Sequence, residues 1–81
     1  MAKPSKSYAG TPELVRLGKT IREIRKGLGY SQESFALEVN LDRSYLGGVE
    51  RGEHNITIIN LLKICKTLKT TPADLFNISN L

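Results

Sequence analysis

Arg43 and Ser44, followed at helical spacing by Gly47, Gly48 and Arg51, bring together a planar cation, a hydroxyl and two positions without side chains. Wound into a helix with Arg43 at zero, Gly47, Arg51, Ser44 and Gly48 fall at roughly 40°, 80°, 100° and 140°. Leu46, Val49 and Glu50 fall on the other side and Tyr45 near the boundary, which leaves one face for contact and one for packing. The chemistry open to such a face is recognition of a base edge. A guanidinium fork donates two hydrogen bonds to guanine O6 and N7, and a serine hydroxyl adds a second, less selective contact. Arg43 is therefore the expected chief base reader, with Ser44 beside it. Two glycines inside a helix cost about 2 kcal/mol together relative to alanine. The expected compensation is a bare face that lets the backbone settle deep in a groove, or leaves room for thymine methyls and water. The plainer alternative is a pair of glycines tolerated in a helix that packing already holds.

A reading face of this kind must be carried by a second helix that crosses behind it. The stretch SQESFALEVNLDRSYLGGVERG, Ser31 to Gly52, has the pattern for two short helices over one tight bend. Phe35, Ala36 and Val39 form the inward stripe of the first, and Leu46 and Val49 that of the second. Small Ala36 lets the two approach at their crossing. Asn40, one of the few non-glycine types that tolerates positive φ, takes the turn, and Leu41 tucks underneath. Ser31 and Asp42 are the expected N-caps.

The remaining elements follow from apolar spacing. Leu14, Leu17, Ile21, Ile24 and Leu28 recur at steps of three and four, one stripe of an amphipathic helix that Gly27 and Gly29 stop. Thr57 caps a strongly apolar fourth helix, and Thr71-Pro72-Ala73-Asp74 starts a fifth, with Pro72 at the first helical position and Asp74 placed for an exchange with Thr71. The predicted helices cover residues 12–27, 31–39, 42–50, 57–68 and 71–78. Residues 1–11, MAKPSKSYAGT, show no apolar periodicity and are expected to form a flexible arm. The expected class is all-α: a compact five-helix domain over residues 12–81.

With 81 residues, 40% of them apolar, the chain has material for one modest core. The net charge of +4 suits a polyanionic partner, yet the charge is unevenly placed. Residues 1–30 hold seven basic and two acidic groups, residues 31–57 two basic and five acidic, and residues 58–81 three basic and one acidic. The proposed reading unit is thus net acidic. Glu33, Glu38 and Glu53 are expected to face away from any nucleic acid. Phosphates would be held by Gln32 and the amides at its helix start, by Tyr45 and Arg51, and by His54, Asn55 and Thr57 on the link to the fourth helix. Catalytic parts are scarce: His54 and Cys65 are single, and no glycine-rich loop follows a strand. No enzyme activity, cofactor or metal site is expected, and the single cysteine allows neither an internal disulfide nor a cysteine-based zinc site. No apolar run approaches a membrane span and no signal segment opens the chain, so a cytoplasmic location is expected.

From Leu17 to about Phe76 these residues resemble the phage-repressor family, also called the xenobiotic-response-element family, of helix-turn-helix proteins. The resemblance implies a lambda-repressor-like five-helix fold whose second and third helices form the reading unit, and a transcription regulator that binds operator DNA as a two-fold dimer. The segment LDRSYLGGVERGEHNIT looks especially like the controller proteins of restriction-modification systems. The family often pairs an arginine near the end of the first helix with a glutamate ending the third, and the matching residues are Arg25 and Glu50. Where the family usually has glycine in the turn, this chain has Asn40.

Helix four is apolar over too wide an arc for one core, through Ile58, Leu61, Leu62, Ile64, Cys65 and Leu68, with Ile59 outside even that arc. Ile59, Leu75, Phe76 and Ile78, together with Leu81, are therefore expected to form a homodimer surface, unless the fifth helix covers it all. The expected partners are double-stranded operator DNA and a second copy, with no membrane and no small-molecule effector. The rival is an antitoxin or another protein-binding module on the same fold.

Overall fold

A computed structural model describes residues 9–81 of the chain. Five helices follow one another: α1 (Pro12–Gly27), α2 (Gln32–Val39), α3 (Arg43–Glu50), α4 (Ile58–Leu68) and α5 (Pro72–Ile78), with no strand among the described residues. The last four begin one residue later than the sequence-based spans, because Ser31, Asp42, Thr57 and Thr71 stand outside the helices as extended N-caps. Their side chains accept the amides of Ser34, Tyr45, Asn60 and Asp74 at 3.0, 3.3, 3.1 and 3.0 Å. Each such cap stabilises its helix by about 1 kcal/mol by pairing an otherwise orphaned donor. At α2 the exchange is reciprocal, since the Ser31 amide donates back to Ser34 Oγ at 3.0 Å.

The turn between α2 and α3 is the left-handed one expected, with Asn40 at φ 58° and ψ 49° and the Leu41 amide donating to the Ala36 carbonyl at 3.0 Å. Asparagine therefore does here what glycine does elsewhere, because its short polar side chain lowers the cost of positive φ. At the end of α1 the expectation needs adjusting. Gly27 is the last helical residue, and Gly29, at φ +89°, makes the reversal. Leu28, expected in the inward stripe, is the exposed C-cap.

The core gathers Leu17 and Ile21 of α1, Phe35 of α2, Leu46 of α3, Leu61 and Ile64 of α4 and Leu75 of α5, all buried. Tyr30 meets Phe35 edge to face, ring centroids 5.3 Å apart. Helix α1 lies against α3 without a side chain between them at one point. A Cβ on Gly18 would come within 2.6 Å of the Glu50 carbonyl oxygen and closer still to that of Val49. Of the expected arm, residues 1–8 lie outside the described residues. Its inner end is fastened rather than free: the Gly10 amide donates to the Gly52 carbonyl at 2.8 Å, beside the end of α3.

Candidate nucleic-acid interface

Helix α3 is clamped from behind. Arg25 Nε and Nη2 donate to the Glu50 carboxylate at 2.6 and 3.1 Å, with side-chain exposures of only 7% and 2%. Arg25 Nη1 also donates to the Tyr30 carbonyl at 2.9 Å. Gln32 Nε2 donates to Glu50 at 3.0 Å, so one carboxylate ties the end of α1, the start of α2 and the end of α3 together. Burying both charges is tolerable because the geometry is bidentate and Gln32 adds a third hydrogen bond to the carboxylate. Among the described residues no buried side-chain nitrogen or oxygen lacks a partner.

On the opposite side of α3, Arg43 and Ser44 are exposed in the first turn, where their side chains are available to a duplex. Glu33, expected to face away from nucleic acid, is exposed on α2. It borders, with Leu37, Leu41 and Asp42, the same shallow depression as Arg43. Gly47 and Gly48 share the helix side derived from spacing, but they are buried beneath side chains rather than bare. A Cβ on Gly47 would stand 3.2 Å from Arg51 Nη1 and 3.4 Å from Gln32 Oε1, and one on Gly48 would overlap the His54 ring. The two glycines are thus vacancies that neighbouring side chains fill, a role that periodicity within α3 does not reveal.

The residues expected at phosphates divide into two groups. Tyr45 belongs to α3, and His54, Asn55 and Thr57 to the link before α4. The Tyr45 and His54 rings stack with centroids 4.8 Å apart and planes 15° from parallel, and Asn60 Nδ2 donates to the Tyr45 hydroxyl at 3.2 Å. Asn55 and Thr57 are exposed, with the Thr57 hydroxyl taken up in capping α4. Gln32 and Arg51 are engaged elsewhere. The Gln32 side chain belongs to the Glu50 cluster, which leaves its helix-start amide rather than its side chain for an anion. Arg51 is exposed and forks onto Glu53 through Nε and Nη2 at 2.9 and 3.1 Å. That hydrogen bond, and secondarily the paired charge, holds the Glu53 carboxyl below the usual carboxylate range and raises Arg51 above its own.

The expected dimer surface also needs one correction. Leu75 is fully buried in the core, because α5 turns it inward onto α1 and α4, and it offers nothing to a second copy. Ile59 and Ile78 are exposed by 66% and 64%, and Phe76 by 37%. Ile58 and Leu62 of α4 are exposed as well. Cys65 lies in the core, where burial pushes its thiol up and keeps it unreactive. Among the described residues no group of three or more His, Cys, Asp or Glu is placed to hold a metal ion.

Sequence spacing missed Gly18, the Gln32–Glu50 bond and the His54–Gly48 contact. For Gly18 a signal existed: a glycine inside a long helix, next to Leu17 in the buried stripe, marks a close backbone approach.

Two short helices crossing at a left-handed turn, the second locked from behind and exposing an arginine in its first turn, define a helix-turn-helix domain of the DNA-binding kind. The chain belongs to the helix-turn-helix family, whose model matches residues 21–75. It is 39% identical to Control protein C.MunI of Mycoplasma sp over 64 residues, covering 78% of this chain and 86% of that one. It is 37% identical to Control protein C.BamHI of Bacillus amyloliquefaciens, over 79% of this chain and 80% of that one. Among solved structures it is similar to the restriction-modification controller protein C.AhdI from Aeromonas hydrophila. That match has a TM-score of 0.78 and 45% identity, over 82% of this chain and 100% of the other. It also matches the controller protein C.Esp1396I, solved as a tetramer in complex with its natural 35 base-pair operator. There the TM-score is 0.75 and the identity 35%, over 84% of this chain and 90% of that one.

Proposed function

We propose that the protein is a transcription regulator that binds a near-palindromic operator as a homodimer, with α3 in the major groove, and that it serves as the control protein of a restriction-modification system. The observation that carries this is the placement of Arg43 and Ser44. They are exposed at the start of α3 while the far end of the same helix is locked by Arg25, Gln32 and Glu50. A reading helix needs such rigidity, because base-edge hydrogen bonds discriminate only when their donors are held in place. The similarity to C.MunI, C.BamHI and C.AhdI supports the controller role.

In this reading Arg43 and Ser44 contact bases. Tyr45, Asn55, Thr57 and the amides at the starts of α2 and α4 contact phosphates. Arg51 joins them once it leaves Glu53. Ile59, Phe76 and Ile78 meet their counterparts in the second copy, which sets the two α3 helices about 34 Å apart, one turn of duplex. The protein acts in the cytoplasm by binding, with no reaction of its own. Among the described residues no helix is long and apolar enough to cross a membrane.

Selection of bound sequences from random duplex DNA at one stated salt concentration, followed by footprinting, tests the proposal. A two-fold motif protected by a protein dimer is expected. Failure to enrich any motif, together with capture of a second polypeptide on the α4–α5 face, would overturn it in favour of a protein-binding module.

A further inference from the structure

All three cations of residues 58–81, Lys63, Lys66 and Lys69, border a single cavity of about 430 Å³. The rest of its lining comes from Tyr30, just before α2, from Glu38 and buried Val39 at the end of α2, and from Thr67. Among the described residues the side-chain ion pairs are Arg25 with Glu50 and Arg51 with Glu53, so Glu38 neutralises none of the three lysines. Lysines near the end of a helix commonly serve its dipole, an effect confined to the last turn. That accounts for Lys66 in the last turn and Lys69 at the cap. Lys63, half-buried and near the middle of α4, has no such use. Operator binding does not use these lysines either. In the proposed function the duplex is met at the Thr57 end of α4, and Lys63 to Lys69 lie about 9 to 18 Å further along the axis.

We propose that this cavity binds a nucleotide, a small anion carrying two or more phosphates on a flat ring, and that Lys63, Lys66 and Lys69 hold the phosphates. The site shares no residue with the operator interface and replaces the expectation that no small-molecule effector is taken. Its size falls in the range of small-ligand sites, about 300 to 1,000 Å³, which is more than a phosphate ion needs. Three ammonium groups against one carboxylate leave a net positive wall, and each is a compact charge with three donors for phosphate oxygens. The remaining lining suits the rest of such a molecule. Tyr30, half-buried and packed edge to face with Phe35, gives a rigid aromatic surface for a base, and Val39 adds apolar area. The Glu38 carboxylate accepts hydrogen bonds from sugar hydroxyls, which an inorganic phosphate cannot supply. A ligand held by α2 and α4 together binds the folded chain and not the unfolded one, so it should also raise the melting temperature.

The test titrates adenosine and guanosine triphosphate into the full chain without DNA, read by calorimetry and by amide chemical shifts, with inorganic triphosphate alongside. Saturable binding of at least one nucleotide is expected, about tenfold or more tighter than inorganic triphosphate. The largest shifts should fall at Tyr30, Val39 and residues 63–69. Lys63→Gln and Lys66→Gln should each weaken binding about tenfold, the loss of one charge-assisted hydrogen bond, while staying folded by circular dichroism. Lys19→Gln removes the same charge from exposed α1 and should leave nucleotide affinity unchanged. Absence of saturable binding, equal affinity for inorganic triphosphate, or equal weakening by Lys19→Gln overturns the proposal. Shifts centred on α3 overturn it as well. No DNA enters the titration, so a failure of operator binding would leave this result readable.

Discussion

Arg25 and Glu50, twenty-five residues apart in the chain, are joined inside the protein by two hydrogen bonds, so that the end of α1 holds the end of α3. Removing the arginine leaves a buried carboxylate whose one remaining side-chain donor among the described residues is Gln32. Arg25→Ala should therefore lower the unfolding free energy by about 3 to 5 kcal/mol, a large part of a small domain's stability. The exposed Arg22→Ala should change it by less than about 0.5 kcal/mol. Denaturant unfolding of the two variants, side by side, checks the difference.

Two glycines of α1 should respond oppositely to alanine. At Gly18 a Cβ would drive into the carbonyls of Val49 and Glu50, which are backbone and cannot swing aside. Gly18→Ala should cost about 1 to 3 kcal/mol or more, the range of overpacked cores. Gly27 is helical and faces open space, so Gly27→Ala should raise stability by about 0.4 to 1 kcal/mol. Thermal melting of both variants reads the sign directly.

The Arg43 side chain is exposed, so its replacement should leave the fold intact. Arg43→Ala should relax preference at one base pair by about 1 to 3 kcal/mol with an unchanged melting temperature. Competition between matched and mismatched operators at constant salt measures it. A uniform loss across sequences would make Arg43 a phosphate contact instead.

In the proposed function the Arg51–Glu53 pair withholds a cation from DNA. Glu53→Ala should free the guanidinium, tighten binding on all sequences alike and steepen the salt dependence by about one phosphate contact. Lowering the pH should act in the same direction. The Glu53 carboxyl titrates below its ordinary value because Arg51 bonds its charged form, so the pair is kept at neutral pH and lost as pH falls through that depressed value. Both groups are exposed, and fold stability should hardly change. Affinities measured over a salt series at neutral pH check the variant.

Two isoleucines separate association from folding. Ile59→Lys and Ile78→Lys lie on exposed surface and should yield a folded monomer with weakened operator binding. Leu75→Ala should instead destabilise each subunit by about 2 to 5 kcal/mol, because it opens a cavity in the core. Sedimentation velocity and thermal melting distinguish the two outcomes.

What the residues determined alone is whatever depends on neighbours a turn or two away. Caps at Ser31, Asp42, Thr57 and Thr71, the left-handed turn at Asn40, the inward stripe of Leu17 and Ile21, and the outward side of Arg43 and Ser44 all follow from local spacing and side-chain type. The Arg25–Glu50 pair was legible through family resemblance together with the inward position of Glu50 on its helix. Tertiary structure decided the matters in which one element fills space beside another. Gln32 was free to meet a phosphate until Glu50 was brought beside it, and Leu75 could face a partner until α5 turned it inward. Gly47 and Gly48 read as bare because spacing within α3 carries no information about Gln32 and His54, which arrive from other elements to cover them. Local periodicity sets which way a side chain points; only the packed chain sets what it meets there.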